Sequence, residues 1–483
     1  MIRRGRKEGW LREPVQGLPT WASFHGVKFN GIKIGPLPNY EDRGSTVIAD
    51  RDLDGDTELP LMTIPKELIL SKENIELLAK ADHHLRDVLQ ALGDFGRTTR
   101  GAVLTFLLMQ ASICCPDVKD IGVHTPLTDY IKYLPDELLP TFWTEAELEL
   151  LEGTTLRSAT RAKTNALLRE FENFRVATEP ISWCAKYWWD EEGGLLTFDD
   201  WLRVDAMYRS RALEVPGVGD AMVTCIDMAN HASGNATAAV YETDEDGNAL
   251  LELRHGKNIP PGGEITITYG DDKGACENIF SYGFLEDTMS SANAMFLNLD
   301  IPDDDPLRPA KIHVCNTAPG FLLLEKADHI DWEGDFVWLV VVNEEDGIDF
   351  KVRQTVDGNR EIQAFWKEGE LNDTSKIRIL LEKDPLWEVF QLRAVVLMQG
   401  RVHAQIEYIR SIGNPRREES VRERPWHLAA RLRTLELELL EKAATMLDRQ
   451  RATLLDSEVV QRYLGLIEDD DASNGADEEV DFT

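Results

Sequence analysis

The sequence predicts an α+β protein in which two groups of short strands are separated by a long helical stretch and followed by a mostly helical C-terminal region. Three observations support this prediction. Short β-branched segments, punctuated by glycine and proline, occupy residues 21–65. Residues 71–203 have a helical texture, and residues 101–115 form an apolar run typical of a helix buried on all sides. Residues 386–412 and 426–450 repeat apolar side chains at helical spacing.

Length and cysteine usage limit the class of protein. At 483 residues the chain exceeds one compact core and should divide into two or three domains. No run of about 18 apolar residues exists, which excludes a spanning helix, and no apolar run follows the basic N-terminus, so no secretory signal is expected. The six cysteines form no C-x-x-C pair, which favours free thiols in a cytoplasmic or nuclear protein without a metal site.

The net charge points to a class of partner. The formal charge of −34 comes from 86 acidic against 52 basic side chains. Direct nucleic-acid binding is disfavoured, because neutralising phosphates requires clustered Lys and Arg. A basic protein or basic tail is the natural partner, since complementary charge steers the encounter. Simple solubility is the alternative reading, because an acidic tail over residues 468–483 contributes to the total.

Capping signals place the elements of the first half of the chain. Residues 1–18 are basic and interrupted by proline, so we expect a flexible lead-in. A β-branched strand is predicted at residues 45–49. Ser71 offers an N-cap to the first helix of the insert. Thr144 and Glu147 have the spacing of a capping box at a later helix.

The stretch from residue 227 to residue 287 predicts a pocket wall. Ile265, Ile267 and Tyr269 share one face of a strand predicted over residues 264–269. An Asn-His pair lies upstream of this strand and a second tyrosine lies downstream. Between them, residues 238–243 and 250–254 are predicted to pair as a hairpin with a type I′ Asp-Gly turn.

Four segments of this chain resemble, in order and approximate spacing, the SET-domain protein methyltransferases. The likeness is strongest to the branch of the Rubisco large-subunit and fungal ribosomal-protein lysine methyltransferases. The matching segments are RSRA at residues 209–212, DMANH at 227–231, GEITITYG at 263–270 and SYGF at 281–284.

The resemblance implies a β-rich SET fold split by a helical iSET insert and followed by a mostly α-helical substrate-binding domain. The implied segments are a flexible lead-in (1–18), an N-terminal SET half (19–72), the iSET insert (73–205), a C-terminal SET half with the pocket (206–289), the substrate-binding domain (290–467) and an acidic disordered tail (468–483).

The resemblance also implies S-adenosyl-L-methionine as cofactor. The residues implied to bind it are Glu41, Arg43, Gly44, Arg211, Asp227, Asn230, His231 and Tyr282. Asn230 and His231 would hold its adenine and amino-acid ends largely through main-chain groups, and Arg211 would pair with its carboxylate. In this family the first glycine turn has the sequence Gly-x-Gly, whereas this chain has Asp42 at the position of the first glycine.

A lysine channel with Tyr269 as the catalytic residue is implied in the same way. The residues implied to bind the substrate are Ser210, Asp227, Tyr241, Tyr282 and Phe284. Phe284 would influence how many methyl groups fit. Whether the Tyr269 hydroxyl acts as a base or only orients the amine stays open, because a phenol with an ordinary pKa near ~10 is a poor base at neutral pH.

The implied activity is N-methylation of a protein lysine. The acceptor amine must be neutral at attack, and burial in an aromatic channel lowers its pKa. The substrate is expected to be a basic non-histone protein, with ribosomal proteins as one candidate, and the enzyme to be a monomer without nucleic-acid or membrane partners. Two alternatives stay open: a histidine acceptor, and a non-catalytic SET scaffold, which the altered turn at Asp42 favours.

Overall fold

A computed structural model describes residues 1–37, 44–56, 59–136, 138–327, 329–354 and 360–467. The chain divides into two compact units. The first comprises Met1–Trp143, Ser158–Lys273 and Glu277–Glu286, and the second comprises Thr144–Arg157, Gly274–Cys276 and Asp287–Thr483. The predicted tail, 468–483, lies outside the described residues, as do Glu41, Asp42 and Arg43.

The first residues of the chain are folded. Helix α1 (Ile2–Glu8) lies within the segment that was expected to be a flexible lead-in, and α2 (Leu18–Phe24) begins at its last residue. Ile2, Leu11 and Leu18 are fully buried in the core of the first unit. The expectation for residues 1–18 is therefore wrong, because three well-separated apolar side chains anchor an otherwise polar segment.

The strands of the first unit lie on both sides of the helical insert. Before it come β1 (Lys28–Phe29), β2 (Ile32–Pro36), β3 (Ser45–Ala49), β4 (Leu53–Asp54), β5 (Met62–Ile64) and β6 (Ile69–Leu70). After it come β7 (Ala212–Val215), β8 (Gly219–Val223), β9 (Ala239–Thr243), β10 (Ala249–Leu253), β11 (Asn258–Ile259) and β12 (Glu264–Ile265).

These strands form four small antiparallel sheets within the described residues, with the strand orders β1-β5-β10-β9, β12-β3-β2, β6-β8-β7 and β11-β4. Each sheet combines strands from both sides of the insert. The two β-rich halves thus build one fold together, which confirms the predicted split α+β architecture.

The insert is helical, as predicted. It contains α3 (Lys72–Ala81), α4 (His83–Ala91), α5 (Asp94–Arg97), α6 (Thr99–Cys114), α7 (Pro126–Tyr130), α8 (Glu145–Glu149), α9 (Thr155–Thr178), α10 (Ser182–Tyr187) and α11 (Phe198–Arg211). Every residue of α6 from Gly101 to Ser112 is buried. The Ser71 side chain caps α3, and Thr144 and Glu147 form the predicted capping box on α8.

The strand predicted over residues 264–269 is shorter in the structure. Regular pairing stops after β12, whose Ile265 lies opposite Val47 of β3. Ile267 instead forms an isolated parallel bridge with His231. The chain changes partner because the Thr266 carbonyl accepts from the N–H of Ala238 (3.1 Å) and from that of the next residue. The predicted alternation still holds for burial, since both isoleucines are fully buried.

The predicted hairpin is present as β9 and β10, but its turn is not of type I′. That type requires positive φ at both central residues. Gly247 has a φ of 84°, whereas Asp246 has a negative φ. The carboxylate of Asp244 accepts from the main-chain N–H of Asp246 (3.0 Å) and Asn248 (2.8 Å), which builds a five-residue loop instead.

The second unit contains two three-stranded antiparallel sheets as well as helices. Its further elements are α12 (Ala275–Tyr282, shared with the first unit), β13 (Ala294–Asn298), α13 (Arg308–Val314), β14 (Gly320–Lys326), β15 (His329–Glu333), α14 (Asp335–Val340), β16 (Ile348–Gln354), β17 (Arg360–Trp366), β18 (Gly369–Leu371), α15 (Ile377–Leu381), α16 (Trp387–Ile412), α17 (Glu423–Leu455) and α18 (Glu458–Tyr463).

The long helices α16 and α17 confirm the predicted helical C-terminal region. They pack against each other through apolar stripes that include Leu432, Leu435 and Leu439, all buried. Helix α17 (Glu423–Leu455) extends beyond both ends of the periodic segment at residues 426–450. No helix of the described residues is long and apolar enough to cross a bilayer. All six cysteines are free, as expected.

Candidate functional site

The site is built where two loop segments of the first unit meet at the bridge between His231 and Ile267. The N–H of Ile267 donates to the Asn230 carbonyl (2.9 Å), and the N–H of Ala232 donates to the Ile267 carbonyl (3.0 Å). This pairing places the predicted Asn-His segment beside the predicted tyrosine, although 38 positions separate His231 from Tyr269. The bridge therefore assembles two of the motifs that the sequence singled out.

Four aromatic rings, here called the aromatic cluster, come together around this bridge: His231, Tyr269, Tyr282 and Phe284. The His231 and Tyr269 rings stack with centroids 5.1 Å apart and an interplanar angle of 25°. The Tyr282 ring lies 4.6 Å from that of Tyr269, and the Phe284 ring lies 5.9 Å from that of His231. Gly283, at a φ of 72°, turns the chain at the end of α12 so that both neighbouring rings join the cluster.

Tyr269 is held at both ends. Its main-chain N–H donates to Nδ1 of His231 (2.9 Å), and its phenol hydroxyl donates to the Ala229 carbonyl (2.7 Å). These two hydrogen bonds and the stacked imidazole leave the Tyr269 ring little rotational freedom. The sequence indicated Tyr269 as a candidate site residue, but it did not indicate either anchor.

A carboxylate completes the contacts of His231. Nε2 of His231 lies 3.1 Å from Oε1 of Glu286, and the hydroxyl of Ser233 donates to the other oxygen of Glu286 (2.8 Å). The His231 side chain is 1% exposed and that of Glu286 is 19% exposed. Glu286 was not among the predicted site residues, because its partner lies 55 positions away and no local pattern links them.

A second carboxylate, Glu264, joins the site to the N-terminal strands. Its Oε1 accepts from the amide of Asn230 (2.8 Å) and from the hydroxyl of Thr46 in β3 (2.7 Å). The Asn230 side chain is thus directed towards Glu264. Glu264 was quoted within the strand motif but received no role from the sequence.

Asp227 and Arg211 meet at a buried cluster. Nη1 of Arg211 donates to the Asp227 carbonyl (2.7 Å), and the hydroxyl of Tyr130 donates to the Asp227 carboxylate. The same hydroxyl accepts from the N–H of Cys225 (3.1 Å). Burial, together with the carboxylate, holds the pKa of Tyr130 well above its ordinary value, so the phenol stays protonated. Tyr130 therefore links the helical insert to the main chain that leads into the site.

Five predicted site residues are still to be placed: Ser210, Tyr241, Gly44, Glu41 and Arg43. The hydroxyl of Ser210 donates to the Ala206 carbonyl of its own helix (2.8 Å). Tyr241 lies on β9, and burial raises its pKa. Gly44 precedes β3 with a φ of 71°. Glu41 and Arg43 lie outside the described residues.

Lys273 is a cationic neighbour of the aromatic cluster. Its Nζ lies 5.6 Å from the centroid of the Tyr282 ring and pairs with Glu277. Burial raises the pKa of Tyr282, and the charge of Lys273 opposes this shift. Tyr282 therefore carries a neutral hydroxyl at physiological pH.

The main chain of His231 offers one donor and one acceptor side by side. The parallel bridge uses the Asn230 carbonyl and the Ala232 N–H, so the N–H and C=O of His231 itself point to the opposite side. Within the part of the chain that the structure describes, neither group has a hydrogen-bond partner. Such an adjacent pair can recognise one edge of a heterocyclic base.

Comparison with known proteins gives relatives in sequence and in structure. No family model matches the chain. It is 29% identical over 332 residues to the SET domain-containing protein 8 of Schizosaccharomyces pombe, a match that covers 67% of this chain and 71% of that protein. It is 25% identical over 316 residues to the chloroplastic ribulose-1,5-bisphosphate carboxylase/oxygenase large subunit N-methyltransferase of Nicotiana tabacum. That second match covers 64% of this chain and 58% of the tobacco protein.

The fold is similar to that of solved structures. The SET domain of LSMT, crystallised with MeLysine and AdoHcy, superposes with a TM-score of 0.62 over 95% of this chain and 98% of that one. Rubisco LSMT with sinefungin and monomethyllysine superposes with a TM-score of 0.60 over the same share. Sequence identity is 17% in both cases, so this likeness establishes the fold alone.

Proposed function

Because the chain belongs to the SET-domain methyltransferase family, we propose that it is an S-adenosylmethionine-dependent protein-lysine N-methyltransferase acting on a basic, non-histone protein. The observation that carries this proposal is the arrangement of Tyr269. The residue is anchored through its main-chain N–H and its hydroxyl, and its ring stacks within the aromatic cluster beside the His231 bridge. The motifs that resemble the family therefore converge on one place in the fold.

The main chain of His231 fits the proposed cofactor. Adenine presents a ring-nitrogen acceptor and an amino donor next to each other on one edge. The N–H and C=O of His231 are complementary to these two groups, and nothing else in the described residues bonds to them. Arg211 fixes the main chain at Asp227 that leads into this segment. A direct bond from Arg211 to the cofactor carboxylate stays a prediction.

S-adenosylmethionine, when bound, supplies an electrophilic methyl group on a sulfonium sulfur. The protein must deliver a neutral amine in line with it. Tyr269 and Tyr282, packed 4.6 Å apart, offer an apolar aromatic wall that disfavours an ammonium and lowers the pKa of an entering lysine. Because the Tyr269 hydroxyl donates to Ala229, its oxygen presents lone pairs as acceptors for amine N–H or methyl C–H groups. Catalysis would come mainly from this orientation.

The charge of the chain supports a basic acceptor. With 86 acidic and 52 basic side chains, the protein attracts a positively charged substrate and accelerates its encounter. Ribosomal proteins are basic and are one candidate class. The six free cysteines are consistent with a cytoplasmic or nuclear location, where thiols stay reduced.

The test is to incubate the full chain with isotopically labelled S-adenosylmethionine and a dialysed cell extract, and to map the labelled residues by mass spectrometry. We expect label on lysines of basic proteins, with none in the absence of the chain. Label on histidine residues with none on lysine residues would show that the acceptor is histidine rather than lysine. Calorimetric titration with S-adenosylmethionine separates both outcomes from a non-catalytic scaffold, for which no heat of binding is expected.

A further inference from the structure

We propose that Glu286 is a positioning residue for the transfer reaction: it selects the tautomer of His231 that holds Tyr269 in place. This inference rests on the proposed function. It comes from a continuous set of contacts that runs from Ser233 through Glu286 and His231 to Tyr269. Glu286 belongs to none of the sequence motifs.

The hydrogen bonds assign the tautomer. Nδ1 of His231 accepts the N–H of Tyr269 at 2.9 Å and therefore carries no proton. A neutral imidazole with a bare Nδ1 has its proton on Nε2, which donates to Oε1 of Glu286 at 3.1 Å. In the other tautomer an N–H of the ring would face the N–H of Tyr269, and two donors would oppose each other. The carboxylate removes that alternative by requiring a donor at Nε2.

The carboxylate is itself fixed. The hydroxyl of Ser233 donates to Oε2 of Glu286 at 2.8 Å, which leaves Oε1 directed at the ring. Asp271 is a second carboxylate near His231, and it accepts from the Gly234 N–H and the Thr268 hydroxyl, both at 3.0 Å. Among the described residues Glu286 is therefore the carboxylate that bonds the imidazole.

The consequence reaches the phenol through stacking. The His231 ring lies against the Tyr269 ring at 5.1 Å and 25°, and its side chain is 1% exposed. A ring held at both nitrogens cannot turn about its own axis. It therefore sets both the main chain of Tyr269, through Nδ1, and the plane of the phenol, through its face. Loss of the Glu286 carboxylate loosens both constraints without removing any group proposed to touch substrate or cofactor.

The first arm of the test measures transfer. Full-length Glu286→Ala, Glu286→Gln and the exposed control Glu67→Ala are compared for the maximal rate of label transfer from S-adenosylmethionine to a dialysed cell extract, and for calorimetric affinity for the cofactor. We expect Glu286→Ala to lose at least tenfold in rate with cofactor affinity within twofold of wild type. Glu286→Gln should recover most of the rate, because its amide oxygen also accepts from Nε2. An Ala variant within twofold of the wild-type rate would overturn the proposal.

The second arm is independent of activity. The ring-nitrogen chemical shifts of ¹⁵N-histidine-labelled protein report the tautomer, and His231→Gln identifies the signals of His231. We expect the Nε2–H tautomer in the wild type and a mixture in Glu286→Ala. A wild-type protein with the proton on Nδ1 would contradict the inference.

If Glu286→Ala fails to fold, Glu286→Asp replaces it, because this change withdraws the carboxylate by one methylene. The expected tenfold loss of rate and the twofold limit on the change in cofactor affinity stay the same. A wild type that binds the cofactor but transfers no label would reject the proposed function, while the nitrogen shifts would still decide the tautomer.

Discussion

The hydroxyl of Tyr269 donates to the main-chain carbonyl of Ala229 across 2.7 Å, although 40 positions separate the two residues. This bond joins the segment that carries the phenol to the segment that leads into His231. It also determines how the phenol can act, because its proton is already directed at a carbonyl. The Tyr269 oxygen is then an acceptor and an orienting group rather than a free donor.

Replacing Tyr269 with Phe tests that role directly. The ring and its stacking on His231 are kept, while the oxygen and its bond to Ala229 are lost. We expect transfer to fall on the order of 100-fold or more, the usual cost of removing one preorganised polar group from an active site. Affinity for S-adenosylmethionine should stay nearly unchanged, as measured by calorimetry. Wild-type turnover in this variant would remove Tyr269 from the proposed mechanism.

Tyr130→Phe probes the buried link between the insert and Asp227. The change removes the hydroxyl that donates to the Asp227 carboxylate and accepts from the Cys225 N–H. We expect the free energy of unfolding to fall by roughly 1–3 kcal/mol, the cost of depriving buried polar groups of a partner. Urea denaturation measures it. Tyr133→Phe, at a partly exposed position three residues on, is the control and should cost less than about 0.5 kcal/mol.

The carboxyl of Glu436 should make the stability of the second unit depend on pH. It is fully buried in α17 and accepts from the N–H of Thr155 at 3.1 Å, and burial raises its pKa to about 7. The folded state thus holds this proton more tightly than the unfolded chain does. The contribution of the protonated Glu436 carboxyl to the free energy of unfolding is complete below pH ~4.5 and is lost as the pH rises through 7.

Glu436→Gln removes this titration and keeps an acceptor for Thr155. We expect the variant to resemble wild type at pH 4.5 and to be more stable by up to about 3 kcal/mol at pH 8. Denaturation midpoints at the two pH values measure the difference. The exposed Glu438→Gln, two residues on, should show no such pH-dependent gain. Equal shifts in both variants would show that Glu436 is not the titrating group.

Lys311 is a fully buried lysine of the second unit. Its Nζ donates to the Asp305 carboxylate and the Val342 carbonyl, both at 2.6 Å, and burial lowers its pKa. Lys311→Met leaves that carboxylate and carbonyl without their cation, so we expect a loss of roughly 3–5 kcal/mol in the free energy of unfolding. Lys326→Met, which breaks an exposed pair with Asp331, should cost less than about 1 kcal/mol by the same measurement.

The sequence predicted the parts of the fold that local periodicity determines. The buried helix α6, the capping box of α8 and the burial of Ile265 and Ile267 are set by residues close together in the chain. The length of the strand at β12 was overestimated, because the alternating pattern cannot show that Ile267 leaves β3 and pairs with His231. A change of partner is a tertiary event.

The sequence motifs indicated residues that the structure brings together, and they gave no sign of the single polar residues that contact them. Tyr269, His231, Tyr282 and Phe284 meet as one cluster. Glu286 and Tyr130 had no such signal. Their partners lie 55 and 97 positions away, and an isolated Glu or Tyr in a sequence is typical of a surface or a core.

The five-residue loop between β9 and β10 has a practical consequence. Asp244 and Asn248 bond each other through both main chain and side chain, so the two strand ends stay together whatever is attached beyond them. Closing an added segment there costs little entropy, since its ends already meet. The anchors of Tyr269 are supplied by other segments, at Ala229 and His231. We therefore expect that a fluorescent reporter or affinity tag inserted between Asp246 and Gly247 leaves the position of the Tyr269 phenol unchanged.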